Sequence, residues 1–149
     1  MKTFIFLCIF FFIFPKPIFA DYQAAPPPDP RIAELTAFMD AHHFEKPYYA
    51  ADIIGAADKN HIDFRLLPVI EYLESSGGKR YIQNSANPFG WNSDRTGFNS
   101  IPDAIDYISS ELGSNPHYAG KTDTGKLNAY NGRAEYTDRA LILINQIHN

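Results

Sequence analysis

The stretch that most limits how this chain can fold runs from Leu66 to Gly78: Leu-Leu-Pro-Val-Ile-Glu-Tyr-Leu-Glu-Ser-Ser-Gly-Gly. Leu66, Leu67, Ile70 and Leu73 recur at the spacing of a core-facing helical stripe. Asp63 stands where a side-chain oxygen accepts from the free amides of a first turn. Pro68 falls in the first turns, where a missing N–H costs little. Gly77 and Gly78 offer the left-handed dihedrals of a helix end. The spacing therefore predicts a buried helix, with the rest of the chain as its scaffold. Glu74 sits on the edge of the apolar stripe, in the last turn. Partial desolvation and the negative end of the helix dipole both favour its protonated form, which a general acid requires near neutral pH. Glu71, one turn earlier, would add like-charge repulsion. The plain alternative for Glu74 is a solvated acid at a helix end.

Other periodic segments surround this one. Ile32, Leu35, Phe38 and Met39 predict a helix from Arg31 to about His42. Tyr49, Ile53, Ile54 and Ala57 predict a second over Tyr48 to Asn60. Ser100 caps a helix with Pro102 near its start and Asp103 in its first turn; Ala104, Ile105, Ile108 and Leu112 form its stripe, and Gly113 ends it. A short helix over Thr124 to Tyr130 precedes a last one over Glu135 to Ile147, where Ala140, Leu141, Ile144 and Ile147 face inward. Between the central helix and Ser100, residues 79–99 are polar and carry glycines and aromatics without helical period. They are expected to form short strands or an irregular lobe. The fold class is mainly α.

The two ends of the 149-residue chain differ in kind. Residues 1–20 have a basic start at Lys2, an unbroken apolar run from Phe4 to Phe14, prolines that break it and a small residue at Ala20. That pattern reads as a secretory signal, too short to span a membrane in comfort. An uncleaved anchor is the alternative. Residues 21–30 are rich in Pro and Ala and read as an extended linker, so the domain is expected over residues 31–149. The one cysteine, Cys8, lies inside the signal. The exported fold would then have neither disulfide nor catalytic thiol and would rest on its hydrophobic core. Cleavage would leave 11 basic and 17 acidic residues, a charge of −6. No basic patch suits nucleic acid. The His42-His43 pair has no third ligand at a familiar spacing, so no metal is expected, and no cofactor. The protein is expected to be secreted or periplasmic, and a monomer.

The chemistry comes from the segment after the central helix. Asn87-Pro88-Phe89-Gly90-Trp91 is a turn with two aromatic rings, and Tyr130 and Tyr136 add two more. Aromatic faces stack on the apolar faces of sugar rings, and asparagines such as Asn87 and Asn131 bind hydroxyl or acetamido groups. A carboxylic acid beside aromatic platforms suits glycosidic bond cleavage. For Phe89 the competing reading is that it packs the lobe onto the helices.

Ile62 to Ile70, then Glu74-Ser75-Ser76-Gly77-Gly78-Lys79, then Asn87 to Trp91, resembles the lysozyme-like superfamily of bacterial peptidoglycan-cleaving enzymes. The similarity is greatest to the endo-β-N-acetylglucosaminidase branch and the neighbouring lytic transglycosylases. Lys121-Thr122, Lys126-Leu127 and Tyr130-Asn131 resemble a later motif of the same group, and the likeness spans about Tyr48 to Ile147. It implies helices around a buried catalytic helix, with peptidoglycan glycan chains in a groove. It also implies Glu74 as catalytic acid, Ser75 as the serine after it, Asn87, Phe89 and Gly90 in the turn flanking the cleft, and Tyr130 as the cleft tyrosine. A hydrolase of the usual type has a second carboxylate. Asp94 is the next acid in the lobe, either in that role or as a turn aspartate. Hydrolysis, transglycosylation and glycan binding without catalysis all remain open at this point.

Overall fold

Asp29 and Pro30 start the first helix, two residues ahead of the expected domain boundary. The Asp29 carboxylate accepts from the Arg31 amide, and Pro30 has no amide to leave unpaired. Arg31 then bridges Asp29 and Asp58, which ties the entry of this helix to the end of the next. The computed structural model describes residues 27–92 and 96–147. The expected signal, most of the linker, and Asp94 lie outside the described residues.

Among the described residues six α-helices succeed one another: α1 (Pro30–Ala41), α2 (Ala50–Asn60), α3 (Leu66–Ser75), α4 (Ile101–Ser114), α5 (Asp123–Asn131) and α6 (Ala134–Ile144). Short 3-10 turns occupy Pro47–Tyr49 and Gln83–Ser85. The chain is mainly helical, with no strand among the described residues. The polar segment after α3 is therefore an irregular lobe rather than a set of strands. None of the described helices is long and apolar enough to cross a membrane.

The predicted stripes form one core. Leu35, Met39, Ile53, Leu66, Leu67, Ile70, Ile105, Ile108 and Leu112 are fully buried, each worth about 1.5–3 kcal/mol of apolar burial. α2 packs on α4, α5 on α6, and α6 on α3. Most of α3 is enclosed, because Val69 and Glu71 are buried beside the expected stripe. Gly113 does not end α4 as its position suggests; the helix continues through Ser114. The glycine serves a close approach instead: a Cβ there would lie 2.4 Å from the Asn60 carbonyl oxygen at the end of α2.

The ends of α3 differ in detail from expectation. The Asp63 side chain accepts from the Arg65 amide, and the Asp63 carbonyl accepts from Leu66. The aspartate thus caps the turn that leads into α3, and Arg65 holds the cap position without a side-chain bond. At the other end Ser76, not a glycine, takes the left-handed C-cap conformation. α6 stops at Ile144, though Ile147 still packs into the core beyond it.

Lys126 fastens α5 to α4. It is buried, and its ammonium donates to the carbonyls of Leu112 and Tyr118. Leu112 belongs to the last turn of α4, whose carbonyls have no helical partner and carry the negative end of the dipole. Burial lowers the Lys126 pKa, and Asp123 opposes that. Lys126→Met is expected to cost about 2–4 kcal/mol, because two buried acceptors lose a charged donor. Thermal unfolding followed by circular dichroism measures this; an unchanged midpoint would refute it.

Candidate active site

Glu74 sits in the last turn of α3, where the helix leaves the core and becomes partly exposed. One residue later, Ser75 is buried. Its hydroxyl donates to the Glu71 carbonyl and accepts from the Gly78 amide. Those bonds fold the chain back sharply behind Glu74. Ser75 therefore shapes the helix end, and its hydroxyl is occupied within the fold.

The turn at 87–91 is built by its asparagine. Asn87 is buried, its side-chain oxygen accepts from the Trp91 amide, and its amide group donates to the carbonyls of Trp91 and Thr96. Phe89 is fully buried and packs in the core. Of its two readings Phe89 thus takes the packing one, whereas Asn87 builds the turn and also lines the depression that holds Glu74. The two fix the turn from inside, because one side chain replaces backbone bonds and the other anchors the loop. The Tyr130 hydroxyl, brought by α5, donates to the Phe89 carbonyl at 2.7 Å. Its ring lies 5.7 Å from that of Trp91.

This turn lays its backbone on the carboxylate. Gly90 has φ +65°, in the left-handed region, and a Cβ there would lie 2.8 Å from Glu74 Oε2. Glycine meets both demands, since it tolerates the dihedral and leaves room for the oxygen. On the other side of Glu74, Asn131 approaches Oε1 at 3.5 Å. The Tyr136 hydroxyl from α6 is buried and, beyond a weak interaction with the Glu74 carboxylate, has no hydrogen-bond partner among the described residues. Burial first, and then the Glu74 charge, raise the pKa of Tyr136 well above the usual phenol value. Tyr130 is raised by the same causes in the same order. Both hydroxyls stay protonated across the physiological range; that of Tyr130 is committed to the Phe89 carbonyl, and that of Tyr136 is the donor beside Glu74.

Glu74 is shared by two surface depressions. One is walled by Tyr81, Ile82, Pro88 and Gly90, the other by Asn131, Tyr136, Arg133, Glu135 and Arg139. A third opens from Gly90 onto Trp91, Asn92, Tyr118 and Tyr130. Glu74 is common to the first two and Gly90 to the first and third, so the three adjoin as a groove that passes the carboxylate. No protein-family model, curated protein or solved structure matches this chain.

The structure thus brings Glu74, Gly90, Trp91, Tyr130 and Tyr136 to one groove. It adds Glu135 and the two arginines beside it, which nothing in the sequence motifs marks. Glu135 is a further carboxylate in the depression that holds Glu74. Spacing offers a signal: Arg133 stands at the N-cap of α6, and Tyr136 and Arg139 follow at three-residue steps along the helix. The expected repulsion from Glu71 is absent at neutral pH. Burial pushes the Glu71 pKa up to about 8, against the pull of Lys46 and with a smaller push from Glu45, so Glu71 is mostly uncharged there. Among the described residues no cluster of three metal-ligating side chains occurs. His42 instead bonds the Gln146 side chain at 2.9 Å.

Proposed function

We propose that this protein is an exported glycosidase that cleaves the β-1,4 glycan backbone of peptidoglycan, of the endo-β-N-acetylglucosaminidase kind, on a lysozyme-like arrangement of helices. The observation that carries the reading is the contact between Glu74 and the backbone at Gly90, where adjoining depressions with aromatic walls meet. A carboxylic acid in that position reaches the oxygen of a bond lying across the groove.

Glu74 gives its proton to the leaving glycosidic oxygen as the bond to the anomeric carbon breaks. The resulting carboxylate then takes a proton from the water that attacks that carbon, which restores the acid. The acetamido group of the substrate supports the developing positive charge. The protonated hydroxyl of Tyr136 and the amide of Asn131 hold Glu74 and the sugar in register. Trp91 and Tyr130 offer ring faces to the sugars on the Gly90 side.

The test is mass spectrometry of purified peptidoglycan after incubation with the protein. Fragments with a free reducing N-acetylglucosamine end are expected. Anhydro ends would make the protein a lytic transglycosylase instead. No product from a folded protein would sink the catalytic reading in favour of glycan binding alone. Gly90→Ala is expected to lower the rate of fragment release at least tenfold. The added methyl displaces the carboxylate, and the left-handed dihedral costs a further 1–2 kcal/mol or so. Release at the unmodified rate would show that this contact does not position Glu74.

A further inference from the structure

We propose that Arg133 and Arg139 form an anion pocket beside Glu74. It takes the carboxylate of an acidic substituent on the sugar across the cleaved bond, so the site selects an anionic glycan over a neutral one. The proposal rests on the glycosidase reading and names the substituent that the enzyme reads. The two arginines line one depression with Glu74, Asn131 and Tyr136. Its volume is about 260 Å³, against about 10–15 Å³ for a single water. It therefore has room for a substituent with its attachment, not for an ion alone.

The charges in this depression are left open. The arginines that brace the fold are paired, Arg31 with Asp29 and Asp58, and Arg65 with Asp63. Arg133 and Arg139 are exposed and make no ion pair among the described residues. Glu135 shares the depression and stands four residues before Arg139, at the spacing of a helical ion pair. It bridges neither arginine all the same. With Glu74 carrying the proton that it donates, two positive charges face one negative charge there. The chain as a whole is acidic, at −4, so this excess runs against its surroundings and falls beside the reacting bond. On the far side of Gly90, the depression at Trp91 has no charged side chain among its described lining residues. Charge thus marks one end of the groove and gives a bound chain its direction.

A guanidinium donates two parallel N–H bonds and so matches the two oxygens of a carboxylate. Peptidoglycan alternates plain N-acetylglucosamine with a sugar that carries a lactyl ether and an acidic peptide. When the bond is cut after N-acetylglucosamine, the sugar across it is the acidic one. Its carboxylate comes from the peptide, or from the lactyl group once the peptide is gone. A chain of N-acetylglucosamine alone has no anion to offer.

The experiment measures kcat and KM on three soluble substrates: glycan strands that carry their peptides, the same strands with the peptides hydrolysed off the lactyl groups, and the neutral N-acetylglucosamine hexasaccharide. The unmodified protein is expected to cleave the peptide-bearing strands about tenfold more efficiently than the neutral chain or better, chiefly through KM. Arg133→Gln combined with Arg139→Gln should bring that ratio close to one. The paired Arg133→Lys and Arg139→Lys substitutions keep the charge and should keep part of the preference, and added salt should erode it. Both side chains are exposed, so none of these changes opens the core. Preference kept on the stripped strands assigns the pocket to the lactyl carboxylate; preference lost with the peptides assigns it to the peptide. Equal efficiency on anionic and neutral chains, or a ratio unmoved by the double Gln variant, overturns the proposal. Calorimetric binding of the peptide-bearing strands to the Glu74→Gln protein, with and without the arginines, keeps the two readings apart. Arginine-dependent binding without cleavage by the unmodified protein sinks the glycosidase reading and leaves the pocket. Cleavage that ignores the arginines sinks the pocket alone.

Discussion

Glu74→Gln is expected to reduce fragment release from peptidoglycan by about a thousandfold while leaving the fold in place. A positioned general acid contributes about 10²–10⁴ in rate, and here the same group would serve both steps of the reaction. The amide keeps the shape of the carboxylate but has no proton to give at neutral pH. The fold is insensitive to the change because little depends on this side chain. Glu74 is partly exposed, makes no ion pair among the described residues, and is met by the long Asn131 contact at 3.5 Å, a weak interaction with Tyr136 and the Gly90 backbone. The helix end behind it is held by Ser75, and the turn above it by Asn87 and Tyr130. An unaltered melting curve together with lost product is the expected pair of results. Full activity in this variant would remove Glu74 from the chemistry.

Those neighbours also show what is legible in the sequence and what is not. The central helix, its stripe and the position of Glu74 at its last turn come from the spacing of leucines and isoleucines, because a helix that buries one side must repeat apolar residues with its own period. The motif Asn87 to Trp91 marks the turn correctly, but residue types do not reveal which way a side chain points. Asn87 bonds back onto Trp91 while still lining the depression at Glu74, and of the two readings open for Phe89 the structure takes the packing one. Tyr130 reads as a cleft residue, and its ring does line the groove, yet its hydroxyl is spent on the Phe89 carbonyl. Gly113 misleads for a similar reason. A glycine near a helix end suggests a cap until a second helix is known to lie 2.4 Å from where its Cβ would be.

Glu71→Gln is expected to stabilise the protein at alkaline pH and to change little in acid. One helical turn separates Glu71 from Glu74, yet Glu71 is only 6% exposed. Burial pushes its pKa up to about 8 from the usual 4.5, with Lys46 opposing and Glu45 assisting. The folded chain therefore holds a proton here that the unfolded chain releases above 4.5. Stability from this group is fully present below about pH 4.5 and is lost progressively as pH rises through 8. Over that window the loss amounts to about 3–5 kcal/mol at about 1.4 kcal/mol per pH unit. Glutamine is uncharged at every pH, so its curve stays flat where that of the unmodified protein falls. At pH 9 the variant should melt on the order of 10 °C higher, and at pH 4 the two should melt together. Parallel curves across the range would mean that Glu71 ionises in the fold without penalty. Peptidoglycan cleavage near pH 6 should be the same in both proteins, since a neutral Glu71 lends no charge to Glu74.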